Sequence, residues 1–444
     1  EGLLETYPSL DAFLGSGPGV CKGLLNKKVK SSNASHLCPI YGNWKGNNKA
    51  VCLLPTRDYS LFSLDPFAKE LPNWNGLIFG GSGAGKSFSI CQLMLQFYGQ
   101  NPTPKIVWID NGASSQRLLE VLDGEFIDLN IDSKICLNMF DLNGEDAPST
   151  SKVKLILAAL ESILKDEDSR GLPKRDKALL EEAIFMTYDK VKKRTPVLSD
   201  LKSVLENHHH SEMKKYSEIL YSWTGNTAFG RMLDGQSNVT LNKDLITIEM
   251  KGLDTYPDLQ NVFLLLFTDF IKNEASKDTS KPYLLIIDEA WKLFETQSGL
   301  SFTLEAYRTF RKFNGGIWCI SQNYKDFLSN QDIKNAVFPN TSSVFILRQR
   351  KIDWEDFQKT MDFSEDETEV IKSLELVKGE YSEFLYMQDE RKVILRLIPD
   401  PLSYWICTTD GSDKAMIDKM KVKYPELKTI DVLKKIAYGE LEAA

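Results

Sequence analysis

An α/β fold with a mainly parallel central sheet is what this sequence predicts, on three observations. Short uninterrupted apolar runs alternate with stretches of helical spacing, the pattern of strands buried on both faces and joined by helices. One such run, Gly76-Leu-Ile-Phe79, passes directly into a glycine-rich loop and a helix. Another, Tyr283-Leu-Leu-Ile-Ile287, ends in two carboxylates, Asp288 and Glu289.

Taken in order, residues 1–35 are loop-rich, with Gly15-Ser-Gly-Pro-Gly19 and Ser31-Ser-Asn-Ala-Ser35. Residues 37–66 read as a small antiparallel β element: Leu37 to Trp44, a Gly46-Asn-Asn-Lys49 turn, Ala50 to Leu54 and Tyr59 to Leu64. The core strands are Gly76–Phe79, Lys105–Ile109, Tyr283–Ile287, Gly316–Ile320 and Ser343–Leu347, with helical crossovers between them. Leu245-Ile-Thr-Ile-Glu249 reads as a further strand at the sheet edge. Phe384–Met387 and Val393–Leu397 read as a hairpin around Gln388-Asp-Glu-Arg391. Between the second and third core strands, Val153–Lys165, Lys177–Lys193, Leu198–Leu205 and Glu212–Trp223 have helical spacing, an inserted all-α subdomain. The expected organisation is therefore residues 1–70 as an N-terminal loop and β element packed on the core. Residues 71–149 and 237–400 are expected to form the α/β core, 150–236 the helical insert and 401–444 a C-terminal helical segment.

With 444 residues, 42% of them hydrophobic and 26% charged, the chain has ample material for a packed core. A net charge of −8 gives no bulk attraction for nucleic acid or anionic membrane. Lys27–Lys30, Lys192–Arg194 and Arg348–Lys351 are local basic patches of the kind common on solvated surfaces. Seven scattered cysteines with no C-x-x-C pair fit a reducing compartment and argue against a zinc site. His208-His-His210, read as helical, would point its rings in different directions, which argues against a metal site there. The most apolar run, Val262–Phe267, is soon broken by Asp269 and does not span a bilayer. The chain begins Glu1-Gly2 without an initiator methionine and reads as a fragment of a longer protein.

The loop Gly80-Gly-Ser-Gly-Ala-Gly-Lys86-Ser87 fits G-x-x-x-x-G-K-[ST], which wraps nucleotide phosphates. Glycines let successive backbone N–H groups turn inward without Cβ clashes and form an anion cradle. Lys86 supplies a point charge for the β- and γ-phosphates, and the Ser87 hydroxyl can ligate Mg²⁺. Ile90, Leu93, Met94 and Phe97 share one face of the following helix, which Gly99 can end. The residues expected to contact nucleotide are Gly80, Gly81, Ser82, Gly83, Ala84, Gly85, Lys86, Ser87 and Phe88. Asp288 would hold Mg²⁺ with Ser87, and Glu289 would orient and polarise the attacking water.

Ser321-Gln322-Asn323 follows a buried strand, so Gln322 can sense the γ-phosphate or its water; a strand-end cap is the plainer alternative. Oligomeric motors complete such sites with an arginine from a neighbouring subunit. Arg308, Arg311, Arg348 and Arg350 are candidates, with Arg311 and then Arg308 favoured because they precede the Gln322 strand.

Taken together these residues resemble the ATPase domain of the type IV secretion and conjugation ATPases, the TraC-like branch of the FtsK/HerA superfamily. The segments that carry the resemblance are Leu64-Asp-Pro-Phe67, Asn73-Trp-Asn75, Ile109-Asp110, Asp288-Glu-Ala-Trp291-Lys292, Arg311-Lys-Phe-Asn-Gly315 and Ser321-Gln322. The tail from Trp405 to Lys419 is similar to the family's C-terminal end. Coverage runs from about residue 37 to 435. Ser321-Gln322 replaces the commoner Thr-Gln. Asp110-Asn-Gly-Ala113 departs from the Asp-Pro or Asp-Lys form, which sets Asp110 apart as a secondary site residue.

The resemblance implies a RecA-like P-loop NTPase that hydrolyses ATP with Mg²⁺ to power pilus assembly and substrate export. It implies a hexamer or dimer-of-trimers with sites completed between subunits, partnered by the coupling ATPase and inner-membrane subunits of a type IV secretion system. It also implies a cytoplasmic location, peripheral at the bacterial inner membrane through an N-terminal domain outside this sequence. Two other readings remain: a DNA-translocating motor of the same superfamily, which would need a basic pore surface, and a nucleotide-switched scaffold without turnover.

Overall fold

The computed structural model describes residues 31, 44–142, 144–166, 171–294, 296–328 and 331–439. The chain divides into two units, residues 1–44 and 45–444, and nearly all described residues belong to the second. The expected strand over Leu37–Trp44 and the loops before it lie almost entirely outside the described residues. In chain order the strands are β1 (Cys52–Pro55), β2 (Leu61–Leu64), β3 (Gly76–Phe79), β4 (Lys105–Asp110), β5 (Glu125–Asn130) and β6 (Leu245–Gly252). They continue with β7 (Tyr283–Ile287), β8 (Gly315–Ser321), β9 (Ser343–Leu347), β10 (Leu376–Val377), β11 (Tyr381–Gln388) and β12 (Arg391–Leu397).

The main sheet has the order β10-β11-β9-β3-β8-β7-β4-β6-β5, and β12 also pairs with β11. From β9 to β5 every pairing is parallel, while β11 runs antiparallel to β9 and to β12. The five expected core strands sit together as β9-β3-β8-β7-β4. Each is a short apolar run because each is covered on both faces. The expected hairpin forms as β11–β12 and extends the sheet.

One strand placement needs correction. Leu245–Gly252 is not at the edge: β6 lies between β4 and β5, and its first six residues are buried. The edge is β5, where Ile127-Asp-Leu-Asn130 alternates apolar and polar residues, as a strand with one open side does. That alternation hid it among loop residues.

β1 and β2 form a separate antiparallel pair that rests on β12 through the Thr56–Leu395 bridge. Arg57 fixes it there. Its guanidinium meets the buried Glu383 carboxylate at 2.6 Å, and Arg396 donates to the other oxygen at 2.9 Å.

Within residues 150–236 the helices include Thr150–Leu164, Lys174–Lys190, Leu198–Glu206 and the short Gly230–Leu233. The expected Glu212–Trp223 helix is broken into a 3-10 turn, Lys214–Ile219 and a second 3-10 turn. Thr150–Leu164 packs along the long helix Pro257–Lys277, and one apolar core runs through both and the sheet. Asp269, which interrupts the apolar run of that helix, is buried against Lys152 at 3.1 Å. Among the described residues no helix is long and apolar enough to cross a membrane.

Candidate functional site

The site lies at the carboxyl edge of the parallel strands, where ligands bind in open α/β sheets. The register brings Phe79, the last residue of β3, level with Ser321 of β8, and Ile287 of β7 level with Ile109 of β4. The glycine loop, Asp288-Glu289, Asp110 and Gln322 therefore emerge side by side from strands far apart in sequence.

Gly80 N–H donates to the Ser321 carbonyl at 3.3 Å, tying the loop to β8. Gly83 and Gly85 have φ of +71° and +83°, the left-handed conformations that favour glycine. Gly85 then starts the helix Lys86–Tyr98 with no side-chain cap and no acidic residue in the first turn. Uncapped N–H groups and the positive dipole end are thus left for an anion. Ser82 and Gly83 are exposed, Gly81, Gly85, Ser87 and Phe88 half-buried, and Ala84 is packed inward. Ile90, Leu93, Met94 and Phe97 are all buried, and Gly99 caps the helix end. Lys86 Nζ donates to the Gly80 carbonyl at 2.6 Å, so its ammonium lies inside the loop. Burial pushes its pKa down, while Asp288 and Glu289 pull the other way.

Asp288 is held by its main chain, whose N–H donates to the Ile109 carbonyl at 2.9 Å. Burial, then repulsion from Glu289, pushes the Asp288 carboxyl up to about 6. Glu289 adopts φ +52°, a left-handed turn unusual for glutamate, which swings its side chain out of the strand line. Its carboxylate accepts from Trp291 Nε1 at 2.6 Å and from Gln322 Nε2 at 2.7 Å. Gln322 therefore reaches the Glu289 carboxylate itself, while Ser321 is buried and donates to Asp326.

Two neighbours of the acidic residues had no role legible in the sequence. Glu249, at the end of β6, stands level with Asp110 in the register. It accepts the Gly112 N–H at 2.9 Å and that of Ala113, holding the turn after β4. The signal was present: Ile-Glu249 closes an apolar strand as Ile-Asp110 does. Asp110 accepts from Asn111 and Ser114 N–H groups at 2.9 and 2.6 Å. Burial and the charges of Glu249 and Asp288 raise it to about 7. The second is Trp291, whose indole clamps Glu289 and whose role no local pattern announces.

The arginines separate into two places. Arg308 and Arg311 are exposed near the amino end of β8, roughly 20 Å along that strand from Ser321. The structure does not bring them to the loop of their own chain. Arg348 and Arg350 follow β9 at the carboxyl edge. A Cβ on Gly81 would stand 3.7 Å from the Arg348 carbonyl and from the Arg350 amide. Arg348 Nε is buried without a hydrogen-bond partner among the described residues.

His208–His210 lie beyond the Leu198–Glu206 helix, and their rings stack, contrary to the helical reading. Ligand atoms of Glu182, His208 and His209 gather within 4.8 Å. His208 Nδ1, however, accepts the His210 N–H at 3.2 Å, which leaves the ring proton on Nε2 facing Glu182 at 4.0 Å. At that separation no hydrogen bond forms, and His208 Nε2 is buried without a hydrogen-bond partner among the described residues.

A lysine lodged in an uncapped glycine turn, with a paired Asp-Glu on a nearby parallel strand, is the arrangement of the P-loop NTPases. The order of the surrounding strands makes the class RecA-like. Within that class, residues 62–437 match the TraG P-loop domain family, and the chain belongs to it. Protein TraC of Escherichia coli K12 is 23% identical over 434 residues, covering 91% of this chain and 48% of its own length. The type IV secretion system protein virB4 of Bartonella quintana is 23% identical over 393 residues, covering 87% and 48%. The chain thus spans about half the length of these relatives. Among solved structures, VirB4 of Thermoanaerobacter pseudethanolicus superposes with a TM-score of 0.68 at 21% identity, covering 80% of this chain and 98% of that one. The plasmid coupling protein TrwB, solved with an ATP analogue, gives 0.52 at 13% identity, covering 83% and 92%. Both likenesses show the shared fold.

Proposed function

We propose that this chain is the motor domain of a type IV secretion or conjugation ATPase and hydrolyses ATP with Mg²⁺. The observation that carries the reading is the Glu289 carboxylate, held by Trp291 and Gln322 beside a half-buried Asp288 and a loop-bound Lys86. A protein that only switched on nucleotide would not need an oriented carboxylate of this kind.

Asp288 and the Ser87 hydroxyl would hold Mg²⁺. A half-buried carboxyl whose pKa is raised by burial and by the neighbouring Glu289 charge suits a hard divalent ion in its oxygen chemistry. When bound, Mg²⁺ neutralises charge on the β- and γ-phosphates. Lys86 exchanges its bond to the Gly80 carbonyl for phosphate oxygens. Glu289 accepts a proton from, and orients, the water that attacks the γ-phosphorus. Gln322 fixes Glu289 and transmits the state of the γ-phosphate to β8. Arg311 or Arg308, exposed on the far edge of the sheet, would serve a neighbouring subunit of a hexamer. The printed name of the virB4 relatives, type IV secretion system protein, supports action within a secretion complex.

The test is ATP turnover by the assembled full-length protein carrying Lys86→Ala or Glu289→Gln. Loss in both is expected, and wild-type turnover in both would sink the assignment.

A further inference from the structure

Behind the indole that grips Glu289 stands a second clamp. Lys292 follows Trp291 in the 3-10 turn Ala290–Phe294, and its main-chain N–H closes that turn on the Glu289 carbonyl at 3.2 Å. Its ammonium lies 5.9 Å from the centre of the Trp291 ring, close enough for a cation over an aromatic face. The same ammonium donates to Gln260 Oε1 at 2.6 Å. Gln260 is 3% exposed and sits at the start of the long helix Pro257–Lys277, where no local pattern gives it a task.

The chemistry of the pair fixes its orientation. An ammonium has only protons to offer, so the Gln260 amide oxygen must face Lys292 and its NH2 must face away. On that far side stand two acceptors, the Asp254 carboxylate at 3.3 Å and the Met250 carbonyl at 3.5 Å. A buried amide matched on both ends does not turn without losing these bonds. Met250 follows Glu249 at the end of β6, and Glu249 accepts the Lys251 N–H at 2.8 Å as well as holding the Asp110 turn. A ladder of contacts therefore runs from the end of β6, through Gln260 and Lys292, to Trp291 and Glu289.

The Glu289 side chain leaves the strand line at φ +52°, so its direction is set by its donors, the Trp291 indole and Gln322. The Trp291 ring is only half-buried, and its N–H stays aimed at the carboxylate only while the ring is held. We propose that Gln260 and Lys292 are positioning residues for hydrolysis. Gln260 holds the Lys292 ammonium, the ammonium holds the Trp291 ring, and the indole N–H keeps Glu289 in line with the attacking water. The proposal rests on the reading of Glu289 as the group that orients that water. Gln260 belongs to the helix that packs along Thr150–Leu164, so the ladder ties the frame of the helical insert to the acidic turn.

The experiment measures ATP turnover and, separately, ATP affinity in the presence of Mg²⁺ for the assembled full-length protein, with melts to confirm folding. Wild type is compared with Gln260→Leu, Lys292→Met and Trp291→Phe, and with each of the first two combined with Trp291→Phe. Gln260→Leu and Lys292→Met should each lower kcat by about 10- to 100-fold and leave KM and ATP affinity within about twofold. Lys292→Met breaks the same contact from its half-buried end and decides the matter alone if Gln260→Leu does not fold. In the Trp291→Phe background neither change should cost more than about twofold further, because the indole through which both act is gone. Wild-type kcat in folded Lys292→Met overturns the proposal. Losses that multiply with that of Trp291→Phe, or a parallel fall in ATP affinity, overturn it in favour of a purely structural contact. Wild type without turnover, or turnover that Glu289→Gln leaves intact, removes the reading of Glu289 and this proposal with it. Loss in Glu289→Gln with none in Lys292→Met overturns the proposal alone.

Discussion

Gln322 Nε2 donates to Glu289 Oε1 at 2.7 Å, joining the end of β8 to the carboxylate that follows β7. The two residues thus act as one unit, and their substitutions should not add. Glu289→Gln should lower kcat by about 100- to 1,000-fold with ATP affinity retained. Gln322→Ala should lower it by about 10- to 100-fold, because the carboxylate keeps only its Trp291 donor. The double variant should be no slower than Glu289→Gln alone. Steady-state turnover with parallel nucleotide binding checks this, and additive losses would show that Gln322 works elsewhere.

The carboxyl cluster predicts a pH dependence. Asp110 is raised to about 7 and Asp288 to about 6, above their unfolded values. Their protonated forms therefore favour the folded state, a contribution complete below about pH 4 and lost as pH rises through 6 and 7. In the presence of a chelator, urea unfolding should give a stability lower at pH 8 than at pH 6 by roughly 2 kcal/mol. Asp110→Asn should flatten that difference; an unchanged slope in this variant would contradict the assignment.

Lys152 and Asp269 form a buried pair between two helices, each side chain 8% exposed. Lys152→Met leaves a buried carboxylate whose remaining donor is Asn273 at 3.1 Å and should destabilise by about 3–5 kcal/mol. Adding Asp269→Leu should recover most of that loss. Equilibrium unfolding of the single and double variants decides it; equal stability of the two would mean the charge is not buried in solution.

Two glycines should fail differently. Gly316→Ala would put a Cβ 2.3 Å from the Trp74 carbonyl, a backbone atom that cannot give way, so melting temperature and soluble yield should fall. Gly85→Ala meets a flexible Leu376 tip at 2.8 Å and a φ of +83°. That variant should fold yet bind ATP at least tenfold more weakly, since the cradle must re-form around an unfavourable φ. Melts and calorimetry together distinguish the two outcomes.

Asn75 shows how far a local pattern can be read. The segment Asn73-Trp-Asn75 supported the family resemblance, yet nothing in it revealed a task. In the fold, the buried Asn75 side chain bonds the Tyr307 and Asn340 carbonyls and the Ile317 N–H, clipping the amino ends of β3, β8 and β9. Its partners come from three distant stretches. β5 escaped notice for the opposite reason: its Glu125 and Asp128 look like loop residues until an edge position gives them an open face.

The sequence by itself determined the strand, glycine turn and helix of the phosphate loop, the acidic end of β7 and the apolar core strands. Each is set within a few residues, by glycines that permit positive φ and by apolar runs that must be buried on both faces. Only the tertiary structure decided that β6 lies inside the sheet with Glu249 against the Asp110 turn, that Gln322 grips Glu289, and that the β10–β11 hairpin closes over Gly85. Those pairings depend on the order in which strands assemble. Strand order is fixed by packing between residues hundreds of positions apart, which periodicity along the chain does not encode.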